Sequence, residues 1–115
     1  MKRTFVVAAM LALTPLYSQA QDHSGHGAMG MASQAYMDAM TKMDADMKTM
    51  EMSGKAGVDF ARMMIPHHQS AIDMAKAYLA SGETDAELSK LSNDIIVAQE
   101  GEIVFLKEWL AKNGG

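Results

Sequence analysis

The stretch TDAELSKLSNDIIVAQEGEIVFLKEWLAKN, residues 84–113, decides the fold class. Leu88, Leu91, Ile95, Leu106, Trp109 and Leu110 fall at steps that keep them on one side of a 3.6-residue helix. Thr84-Asp85-Ala86-Glu87 in front of them fits a capping box, with Thr84 at the cap, and Asn113-Gly114-Gly115 ends the run. No alternating β pattern occurs elsewhere, so the reading is all-α.

Working back toward the N-terminus, Ser81-Gly82 closes a second helix that runs from an N-cap at Asp59 to about Ala80. Ser53-Gly54 and Gly57 form a short loop before it. A first helix spans about Ser33 to Glu51. Loops this short predict a small antiparallel helical bundle of three main helices, the second and third forming a hairpin and the first packed back along the second. Pro66 lies inside the second helix, where its missing N–H and its ring predict a kink.

Residues 1–20 read as a signal peptide: Lys2 and Arg3, an apolar run from Phe5 to Leu13, and a Ser18-Gln19-Ala20 cleavage site. The run is too short for a membrane anchor. Residues 21–32 read as a flexible His/Met/Gly tail and 33–115 as the helical domain. The expected location is therefore the periplasm. Without Lys2 and Arg3 the chain carries 8 basic and 14 acidic residues, a formal charge of −6. Such a surface repels phosphate backbones, which argues against a nucleic-acid partner. There is no cysteine. Stability then rests on helix packing, with bound metal or a homodimer as further sources, and any soft-metal chemistry rests on thioether.

The eleven methionines after residue 20 all lie between Met29 and Met74. Met37, Met40, Met43, Met47 and Met50 step by three and four along one stripe of the first helix. A core stripe is the plain explanation, since methionine fills irregular gaps. The third helix, however, builds its stripe from Leu, Ile, Phe and Trp, and the first helix has no Leu, Ile, Val or Phe. Sulfur is thus the property that distinguishes the stripe.

The chemically richest stretch is Met63-Met64-Ile65-Pro66-His67-His68. Met63 with His67, and Met64 with His68, form two i, i+4 pairs side by side. Thioether with imidazole suits copper, and thioether favours Cu(I) or its mimic Ag(I). Met74 shares the Met63–His67 line but stands about 16 Å along the axis from Met63, so more than one site is expected. Folding the hairpin about Gly82 sets Gln99 opposite His67 and Glu102 opposite Met64. Both are polar residues on an apolar seam, placed to accept a histidine N–H and fix its tautomer. The same construction sets Met43 and Met47 level with His68 and Met64. At a chain start created by cleavage after Ala20, Gln21-Asp22-His23 offers an amine, two amides and the His23 imidazole to Cu(II).

Asp59 to Ala75, with its Met-Ile-Pro-His-His core and a Met six residues beyond His68, resembles a bacterial family long labelled a domain of unknown function, which now includes the CopM-type periplasmic copper-binding proteins. The resemblance covers Gly57 to Trp109, with the Gln99-x-x-Glu102-Ile103 step included; the family often carries Gly where this chain has Ser70. It implies a ferritin-like or related helical bundle, export, and Cu(I) or Ag(I) held at Met64, His67, His68 and Met74.

The expected function is a copper chaperone or buffer of the cell envelope, exchanging metal with donor and acceptor proteins there. Its metal residues are His67, His68, Met64, Met63, Met74, Met43, Met47, Met40 and His23, backed by Gln99 and Glu102. The alternative is a Met-rich helical interaction module without metal. No enzyme activity is expected: a di-iron oxidase needs Glu-x-x-His on facing helices, and the chain has no such motif.

Overall fold

Three helices make up the computed structural model, which describes residues 26–115: α1 (His26–Lys48), α2 (Ala56–Ala80) and α3 (Ala86–Asn113). No strand occurs among the described residues. The expected signal peptide, its expected cleavage site and the Gln21-Asp22-His23 site proposed from the sequence lie outside them. None of the described helices is long and apolar enough to cross a membrane.

α3 begins one residue later than expected. The cap is Asp85 and not Thr84: its carboxylate accepts the N–H of Leu88 at 2.8 Å. An aspartate also suits the positive end of the helix dipole. The far end closes as expected, on Gly114 at φ 79°, a left-handed conformation that glycine adopts without Cβ strain.

α2 departs from expectation at its start. It begins at Ala56 behind Lys55, which makes no side-chain cap. Asp59, expected as the cap, sits in the first turn and reaches back to the loop. It accepts from the N–H of Ser53 (2.8 Å), the hydroxyl of Ser53 (2.7 Å) and the N–H of Gly54 (3.1 Å). The helix continues through Pro66, which is buried.

α1 begins seven residues before the expected Ser33, so residues 26–32 of the tail expected to be flexible are helical. The reason is tertiary. Ala32 is buried, and with Ala35 it faces Ala77 and Ala80 of α2. Two glycines disfavour a helix there, and packing outweighs them. The other end stops before the expected Glu51: after Lys48 the N–H of Met50 bonds back only three residues, to Met47.

α2 is the middle element: α1 and α3 each pack antiparallel along it, and α1 and α3 make no direct backbone approach among the described residues. The main core lies where α2 starts and α3 ends. Val58, Ala61, Leu106 and Leu110 form it, with Met64, Ile65 and Trp109 packed against it. Gly57 admits the Trp109 ring, since a Cβ there would stand 3.0 Å from the indole. Midway along α2, Ile72 is 1% exposed.

The first half of the α1–α2 seam is made by alanines: Ala32 and Ala39 are buried, whereas Met37 and Met40 are exposed. Met43, Met47 and Met50 continue the line of Ala39 and are half-buried. The methionine stripe is thus divided between seam and solvent.

Candidate functional site

One turn of α2 carries the four residues Met63, Met64, His67 and His68, and the helix sends them to different places. Met64 and His68 turn toward α3. His68 is buried at 8% exposure and Met64 is half-buried. Met63 and His67 lie about 100° round the helix and are exposed. The two histidine rings stand 6.2 Å apart between centroids and are tilted by 58°. The side-by-side pairs read from the sequence therefore address two directions.

On the α3 side, His68 Nε2 is bonded to a carboxylate oxygen of Glu102. A carboxylate only accepts, so the proton of the neutral imidazole sits on Nε2 and the lone pair on Nδ1. His68 Nδ1 is buried and has no hydrogen-bond partner. Glu102 thus accepts a histidine N–H, one turn further along than the level with Met64 at which the sequence set it. A glutamate side chain is long enough to make up that turn. Gln99 does not share the role: it is half-buried, and its Oε1 is buried without a partner.

His68, Glu102 and Met64 line one cleft of about 230 Å³ together with Phe60, Phe105 and Leu106. Phe60 and Phe105 are 61% and 63% exposed and wall the opening. Phe105, expected within the apolar stripe of the third helix, lies off the buried seam and is exposed, and the periodicity gave no sign of Phe60. Among the described residues no group of three His, Asp or Glu side chains gathers. Met64 is the thioether that lines the same cleft as His68.

Met74 belongs to a different place. It lines a groove that all three helices enclose, with Tyr36 from α1, Tyr78 from α2, and Ser92 and Ile95 from α3. The hydroxyl of Tyr78 is buried there without a partner. The register of α1 follows from shared surfaces: Ala39 with Asp73, and Ala35 with Ala77. Extending it by one and two turns brings Met43 level with about Gln69 and Met47 level with about Ile65. This agrees with the expected height. Met40 lies one turn nearer the α1 N-terminus and is exposed.

Two side chains outside the cleft have displaced proton affinities. The two Ser53 donors and the Gly54 N–H hold the Asp59 carboxyl below its ordinary value. A hydrogen bond from Lys42 to Asp46, at 2.6 Å and on one face of α1, raises the Lys42 ammonium.

A family model described as a domain of unknown function (DUF305) matches residues 6–110. No curated protein matches the chain. The match covers nearly the whole sequence, and the chain belongs to the DUF305 family.

Proposed function

We propose that this DUF305 protein is an exported copper-binding protein, with Cu(I) as its cargo and Ag(I) as a mimic, serving copper resistance or homeostasis in the periplasm without catalysing a reaction. One observation carries the reading: a buried imidazole is clamped at Nε2 by Glu102 and keeps an unpartnered Nδ1 lone pair. A buried polar atom left without a partner is costly unless something fills the vacancy. Carboxylate-oriented histidine is also the usual arrangement of a metal ligand, because the clamp fixes the tautomer and raises basicity. Met64 adds a soft donor in the same cleft, and imidazole with thioether suits Cu(I).

His67 and Met63 serve a second position nearer the surface, and Met74, about 16 Å along α2 from Met63, a separate one. Met40, Met43 and Met47 flank both from α1. The family resemblance to CopM-type proteins points the same way. The cupric site at His23 rests on the sequence alone.

The test is competition with a Cu(I) chelator. His68→Ala should weaken the tightest site by at least about tenfold, and Glu102→Ala by roughly 10- to 100-fold, the range for residues that orient a ligand. Unchanged competition by His68→Ala would sink the proposal. Replacing Met40, Met43 and Met47 by Leu should lower metal capacity and leave the His68 site in place. A variant that keeps full capacity would favour a metal-free interaction role for the stripe.

A further inference from the structure

Both tyrosines among the described residues, Tyr36 of α1 and Tyr78 of α2, wall two adjoining hollows at one end of the molecule. One, of about 260 Å³, is the groove of Met74, Ser92 and Ile95. The other, of about 460 Å³, opens beside it toward Glu83, Asp85 and Leu88, where α2 gives way to α3. Sites for small ligands fall in the range of roughly 300–1,000 Å³.

The Tyr78 hydroxyl is buried here and has no partner. Burying a phenol oxygen without a bond is unfavourable, and phenylalanine would fill the same space without that cost. Packing alone therefore does not account for a tyrosine at position 78. A hydroxyl set among apolar side chains beside an open hollow is the usual way a ligand site fixes the orientation of what it binds.

The sign of the charge around the hollows selects the ligand. Their charged lining is Glu83 and Asp85, with no lysine or arginine. The lysines nearest in sequence, Lys76 and Lys90, are held by Glu100 and Asp94. α2 ends here with no basic residue in its last turn, so the negative end of its dipole is left uncompensated. The positive start of α3 is answered by Asp85, whose carboxylate caps it, and by Glu87. An anion meets no basic group in the lining, while a cation is attracted by the carboxylates and by the faces of two tyrosine rings.

We propose that the Tyr36–Tyr78 groove binds a small organic cation, an amine with an apolar body. Its ammonium donates to the Tyr78 hydroxyl oxygen on the side of Glu83 and Asp85, and its body rests against Met74 and Ile95. The site is distinct from the His68 cleft and does not rest on copper.

The experiment is a titration of the metal-free protein with phenethylamine hydrochloride, followed by the aromatic proton resonances. Phenylacetate, of similar body and opposite charge, is the control. The ring signals of Tyr36 and Tyr78 should shift and saturate with the amine and stay in place with phenylacetate. Trp109 is an internal reference: Gly57, which touches it, lies about 30 Å along α2 from Tyr78, so its signals should not move. Tyr78→Phe should keep its far-ultraviolet circular dichroism and bind the amine at least about threefold more weakly. Glu83→Gln, at an exposed position, should weaken the amine about twofold at low salt and not at high salt. Equal binding of phenylacetate overturns the proposal. So do tyrosine signals that ignore the amine, or two variants that both bind it like the parent.

Discussion

His67 and His68 are adjacent in sequence and differ in almost everything that matters for binding. One faces outward, and the other is buried against Glu102 with a single free lone pair. Asp59 shows the same dependence on surroundings. Its three donors favour the ionised form and depress its proton affinity. A depressed carboxylate contributes stability above its unfolded value of 3.8, and loses that contribution as pH falls through the lower folded value. Asp59→Ala should therefore melt earlier than the parent at neutral pH, with the gap closing below about pH 4. A gap that stays constant into acid would mean that the charge of Asp59 is not what holds the loop. At this scale the sequence carried much of the site. Glu102 was recognisable because a carboxylate on an apolar seam demands a partner. The difference between His67 and His68 was not, since both fit the helical pattern and only packing against α3 separates them. Phe60 was hidden and Phe105 misplaced in the core stripe for a related reason: periodicity locates the seam and does not separate it from the apolar residues that border a cleft.

The helices themselves were legible as elements and less so at their ends. Asp85 and Thr84 are both good caps, and the backbone uses Asp85. Asp85→Ala should cost about 1 kcal/mol of stability in chemical unfolding, and Thr84→Ala much less. Equal losses would contradict the observed cap. The start of α1 was not readable locally, because what extends it is Ala32 seated opposite Ala77 and Ala80, a contact made 45 residues and more along the chain. Conversely, the stops at Gly82 and Gly114 were readable, as both are glycines at positive φ whose role is written in the local chain.

For the molecule as a whole, α2 holds the other two helices on unequal terms. α3 meets it through Ile103, Leu106, Leu110 and the Trp109 ring, and α1 through buried alanines with methionines that are no more than half-buried. Small side chains bury little apolar area, so α1 should open first. Hydrogen exchange should find the amides of α1 less protected than those of α2 and α3. If the α1 methionines share in binding, Ag(I) should slow exchange in α1 selectively. Uniform protection in the free protein would contradict this division. The antiparallel three-helix order was fully legible, because short loops leave little other choice. The identity of the seam was not: five methionines in register look alike in the sequence, yet Ala32 and Ala39 fill the first half of the seam, Met37 and Met40 face solvent, and Met43, Met47 and Met50 are half-buried.

That alanine seam bears on how the protein ages. Sulfoxide formation turns an apolar thioether into a polar group and ruins a core built from methionine. Among the described residues Met31, Met37 and Met52 are the most exposed methionines, and none of the three belongs to the main core. An oxidant would reach these three first and leave the scaffold upright, while Met64, packed against the core, is covered, and a reductase for sulfoxides could restore the early lesions without refolding the chain.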